Sequence, residues 1–77
     1  MQKELLIETL HNELGELNSL ISAYDTEIEY LEELLTLTSG PAEEVIENLK
    51  EATDRRNYLR TVYSNTFKEL ETVRSQK

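Results

Sequence analysis

The stretch Leu35-Thr36-Leu37-Thr38-Ser39-Gly40-Pro41-Ala42-Glu43-Glu44-Val45 holds the only proline of a 77-residue chain and one of its two glycines. Gly40-Pro41 falls close to the middle. From Gln2 to Leu37 the sequence has no proline and a single glycine, Gly15. Beyond Pro41 it has neither residue again. Both arms are rich in Leu, Glu, Lys, Arg and Ala, which lose little side-chain freedom in a helix. The stretch is therefore read as a turn between two long helices. Proline suits the first turn of a helix, where its missing N–H has no partner to lose. This places Gly40 at the N-cap and Glu43 at the third helical position. The expected organisation is one domain over 1–77, with helix 1 at about 2–37, the turn at about 38–40 and helix 2 at about 41–75.

Working outward, the first arm carries Ile7, Leu10, Leu14, Leu17, Ile21, Tyr24, Ile28, Leu31 and Leu35 in alternating steps of three and four. With Ile7 at heptad position a, this 3.5-residue repeat is a coiled-coil seam. The second arm keeps the period through Val45, Leu49, Ala52, Arg56, Leu59, Tyr63, Thr66, Leu70 and Val73, with Arg56 and Thr66 as its polar layers. A turn so short makes the helices antiparallel neighbours. Seam residues then pair so that their numbers add to a constant 80, as in Leu35 with Val45 and Ile7 with Val73. The midpoint of that series is Gly40, the residue at which the chain must reverse. The fold class is all-α, an antiparallel two-helix hairpin expected to assemble into a four-helix bundle as a homodimer.

The expected dimer follows from size. A two-helix hairpin has one seam and no second layer, and chains below about 70–80 residues commonly need a staple or a partner. Leu6, Leu20 and Leu34 occupy g positions on the first helix, and Val62 occupies g on the second, facing Leu20. They widen the apolar face on one side, while Ile46 and Phe67 extend it on the other. These six are the candidate partner-binding residues. Tyr24 opposite Arg56 is a candidate register and specificity layer, with the guanidinium expected to stack on the ring. Flanking pairs are expected between Glu27 and Arg55 and between Glu4 and Arg74, with Asp25 near Thr53. Glu13 opposite Glu69 is a like-charge pair.

Charge narrows the function further. There are 16 acidic and 8 basic residues, for a net charge of −8. Residues 1–39 hold nine acids against Lys3, and residues 40–77 hold seven of each sign, so the excess lies on the first helix. Glu29, Glu32, Glu33, Glu43, Glu44 and Glu47 converge on the turn end as an acidic tip. It is read as a solvated end that favours solubility, or as a docking surface for a basic partner. No loop offers calcium its spaced oxygen ligands.

Chemical motifs are sparse. Without cysteine there is no disulfide, thiolate nucleophile or cysteine-held metal. Glu8-Thr9-Leu10-His11 has the Glu-x-x-His spacing of carboxylate-bridged metal bundles. Glu8 and His11 fall at b and e, however, off the seam, and His11 is expected near Phe67. No glycine-rich phosphate loop and no serine relay is present. An enzyme is not expected, nor is a cofactor or a metal. Arg55, Arg56 and Arg60 make a short basic patch, but the phosphate term is unfavourable at this net charge. The chain is expected to lack a membrane span and a signal peptide and to be cytoplasmic. The reading is a non-enzymatic protein–protein interaction module, such as a small adaptor, co-chaperone or assembly factor. Its partner is a second copy or another helical protein. The alternatives are an acidic inhibitor or nucleic-acid mimic that occupies a basic surface, and a dimeric helical-hairpin RNA-binding protein.

Overall fold

The computed structural model describes residues 2–37 and 42–76. It is all-helical, with α1 spanning Gln2–Leu37 and α2 spanning Glu43–Ser75. Among the described residues the two helices pack along their lengths into a hairpin measuring 60 × 14 × 13 Å, the dimensions of a single pair of helices. No described helix is long and apolar enough to cross a membrane.

The expected turn residues Thr38, Ser39 and Gly40, and Pro41 after them, lie outside the described residues. The start of α2 differs from expectation. Ala42 is the N-cap, in a non-helical conformation, and its carbonyl accepts the first helical bond from the Ile46 N–H at 2.9 Å. Glu43 is thus the first helical residue, not the third. The acidic first turn, Glu43 and Glu44, still complements the positive end of the helix dipole, and Arg74 complements the other end. No side chain caps the N-terminus. Hydroxyl residues inside the helices stay compatible with them by donating back to the preceding turn, as Thr9 does to the Leu5 carbonyl and Thr61 to that of Asn57.

Packing follows the expected register. Leu10, Leu14, Leu70 and Val73 form one buried cluster, flanked by Ile7 and Tyr63. Ile28, Leu31 and Ala52 form a second, flanked by Tyr24, Leu34, Val45 and Leu49. Early residues of α1 meet late residues of α2 and the reverse, so the hairpin is antiparallel. Every residue assigned to the seam is buried or half-buried. Thr66 is buried with them.

The two clusters do not join. Between them lie the layers of Leu17 with Tyr63, Ile21 with Leu59 and Tyr24 with Arg56, and all six residues are only half-buried. The fully buried seam residues thus fall in two groups, one toward each end of the hairpin, with none in the middle.

Candidate functional site

The half-buried middle layers have an apolar flank. Position g of α1 and position g of α2 share one flank of an antiparallel pair, and here that flank carries Leu20 and Val62. Leu20 is 48% exposed and Val62 half-buried. One turn away, Tyr58 at position c is 68% exposed. Tyr58 joins Tyr24, Leu59, Asp54 and Arg55 in lining an open, largely apolar groove of about 360 Å³. A smaller hollow of about 130 Å³, lined by Tyr24, Glu27, Asn48, Glu51, Ala52 and Arg55, adjoins it. Tyr24 and Leu59, from two of the half-buried layers, thus line the groove.

The same flank continues toward both ends. Leu6 is exposed near the start of α1, and Leu34 is half-buried near its end. Tyr30 and Leu37, both exposed, stand at c positions of the same stripe. Tyr30, Leu37 and Tyr58 were not singled out from the sequence. The signal was available, because a c residue lies next to g on the helix surface, three or four residues away.

Ile46 and Phe67 are exposed on the opposite, e-position flank. They are 21 residues apart on one helix, about 31 Å at 1.5 Å per residue. The α1 positions facing them, His11, Asn18, Asp25 and Glu32, are polar. They are isolated exposures, which are ordinary on any protein surface. Of the six candidate contact residues, the structure thus groups Leu6, Leu20, Leu34 and Val62 on one flank and leaves Ile46 and Phe67 apart.

The Tyr24–Arg56 layer is built differently from the expected stack. Arg56 is half-buried and turns to the e side, where Nη1 donates to Asp25 Oδ1 at 3.2 Å and Nη2 donates to Asn57 Oδ1 at 3.4 Å. Arg60 Nη2 lies 3.6 Å from the same Asp25 oxygen. Asp25 is therefore shared by two arginines. Arg56 Nε is buried and has no hydrogen-bond partner. It is Arg55, on the g side, that meets Tyr24. Its guanidinium is held above the ordinary arginine value, first by the hydrogen bond to the Tyr24 side chain, then by Glu51, with Glu27 adding less. Arg55 pairs with Glu51 at 2.6 Å, one turn away on its own helix, in place of the expected pair with Glu27. The reason is reach: an i,i+4 partner lies on the same helix face.

At the open end of the hairpin the expected partners also change. Arg74 donates to His11 Nε2 at 2.7 Å, which makes that ring nitrogen the acceptor, since a guanidinium only donates. Arg74 also lies 3.8 Å from Glu71. His11 is thus held by Arg74, and Glu4 is not among the ion-pair partners of the described residues. Lys3 donates to the Gln76 carbonyl, tying the two ends together.

The acidic end is as expected in exposure. Glu29, Glu32, Glu33, Glu43, Glu44 and Glu47 are all exposed. Among the described residues no group of three or more acidic or histidine side chains is arranged to hold a metal ion. In the basic patch Arg55, Arg56 and Arg60 each have a carboxylate partner.

Comparison with protein-family models, with curated proteins and with solved structures gives no match. The surface must speak for itself.

Proposed function

We propose that this chain is a non-enzymatic helical interaction module whose g-position flank is its working surface. The partner closes the middle of the core, and the first candidate is a second copy, giving a four-helix bundle. The observation that carries the reading is that the half-buried seam residues Tyr24 and Leu59 line an open, largely apolar groove with the exposed Tyr58, on the flank that carries Leu20 and Val62. A monomer whose central layers stay half in water forgoes burial worth about 25 cal/mol per Å² of apolar surface. A second helical layer on this flank recovers it. An adaptor, co-chaperone or assembly factor uses such a surface in the same way, and in that case the occupant is an amphipathic helix of another protein.

The test is a paired substitution, Leu20→Glu with Val62→Glu, on an exposed and a half-buried position. Sedimentation of the parent and the variant across a dilution series gives the association state of each. The reading expects the variant to be helical but monomeric, with a lower thermal midpoint. A variant that associates and melts like the parent would remove the flank from the account.

A further inference from the structure

On the flank just described, the g positions of α1 read Leu6, Glu13, Leu20, Glu27, Leu34, and those of α2 read Asn48, Arg55, Val62, Glu69, Gln76. The first series is the same in both directions about Leu20. The second reverses charge about Val62, because Arg55 and Glu69 stand seven residues to either side of it. Leu20 and Val62 lie side by side at the middle of the hairpin. We propose that a second copy docks on this flank with its long axis reversed, about a two-fold axis crossing the hairpin at Leu20 and Val62.

In a two-fold contact the same patch serves both copies. An axis across the hairpin lays α1 along α1 of the second copy and α2 along its α2, each pair antiparallel. Leu20 and Val62 then meet their own counterparts. Leu6 of each copy meets Leu34 of the other, and Arg55 of each meets Glu69 of the other. The like-charge pair Glu13 and Glu69, neither of which has an ion-pair partner among the described residues, thereby gains a cation. Glu13 comes opposite Glu27 of the second copy, whose Arg55 lines the same hollow as that Glu27.

The other two-fold arrangement, with the turns at one end, gives Arg55 a carboxylate too, Glu27, but loses the apolar matching. It sets Leu6 against Gln76, Leu34 against Asn48 and Glu13 against Glu69. It also brings together two acidic ends, each with six exposed glutamates. The reversed arrangement separates them by nearly the length of the molecule, far beyond the screening distance of about 8–10 Å. Apolar matching and charge thus select one orientation, which is how interfaces exclude wrong pairings.

This inference rests on the homodimer reading, and the experiment separates the two. The chain has no cysteine, so Glu33→Cys, at an exposed f position off the flank, takes a single nitroxide label. Glu33 is 13 residues from Leu20, so the reversed dimer sets the two labels 26 residues apart along the axis, about 39 Å at 1.5 Å per residue. The expected result is a pulsed dipolar distance near or somewhat above that value. A distance of about 20–25 Å, the width of two packed helical layers, would overturn the orientation while keeping the dimer. A one-chain mass with no dipolar signal would overturn both. As a second readout, Arg55→Glu is expected to weaken association several-fold and Arg55→Glu with Glu69→Arg to restore it. In the same-end arrangement Glu69→Arg would gain Glu13, so absence of rescue counts against this flank as the interface, and the dipolar distance decides the orientation.

Discussion

Replacing Arg56 by leucine is expected to stabilise the folded protein, against the usual direction of core substitutions. Arg56 occupies a seam position with its side chain 21% exposed, and its Nε is buried without a partner. An unsatisfied buried donor costs about 1–3 kcal/mol. The ion pair it makes in return is weak, because Asp25 is 45% exposed, and pairs of this kind contribute about 0–1 kcal/mol. Asp25 also keeps Arg60 when Arg56 is removed. Leucine forgoes some of the packing of the arginine stem but fills the layer with apolar atoms. The net expectation is a gain of about 1–2 kcal/mol, which for a domain this size raises the thermal midpoint by about 4–8 °C per kcal/mol. Circular dichroism melts of parent and Arg56→Leu at matched chain concentration read this directly, since association makes the midpoint concentration-dependent. Arg56→Met keeps the stem length and isolates the charge. A loss of more than about 1 kcal/mol in both variants would mean that the guanidinium holds the layer together, and the argument from weak pairing would be wrong. If the layer also fixes assembly, Arg56→Leu broadens the distribution of oligomers even as it raises stability.

Other outcomes follow from the same geometry. Leu70, 1% exposed at the centre of the open-end cluster, should cost about 2–5 kcal/mol on truncation to alanine. Denaturant titration of Leu70→Ala checks it, and an unchanged midpoint would contradict the packing. Gly15 sits on the solvent face of α1, and a Cβ built there meets nothing within 4 Å. Gly15→Ala is therefore expected to stabilise by about 0.8–1.0 kcal/mol from helix propensity alone, read by the same titration. Because the whole excess charge of −8 lies on α1 and its turn, raising salt from low to moderate ionic strength should raise the melting midpoint. A fall would mean that the ion pairs of Arg55, Arg56 and Arg60 outweigh the repulsion.

The seam, its register and the hairpin were legible in the sequence because a 3.5-residue repeat and a central Gly-Pro constrain them independently. The partners of long polar side chains were not. Heptad position gives the neighbour of a Cβ, but a guanidinium reaches over several ångströms and takes whichever carboxylate lies within its arc. Arg56 thus left the expected Tyr24 for Asp25, Arg55 preferred Glu51 to Glu27, and Arg74 went to His11. The working flank was legible in part. Leu6, Leu20, Leu34 and Val62 were found by their g positions, while Tyr58, Tyr30 and Leu37 escaped because a scan confined to a, d, e and g omits c. The gap in the core between Leu14 and Ile28 could not be read at all. Leu17, Ile21, Leu59 and Tyr63 are ordinary seam residues by type, and only the structure shows that two helices leave them half in water.

The central claim is that the folded unit is larger than one chain. Multi-angle light scattering on the eluting protein, at tens of micromolar, tests it most directly. One chain has a mass of 9.0 kDa. A monodisperse helical species of twice that mass is expected, and a well-folded species of one chain's mass at that concentration would mean that the hairpin is complete without a second copy.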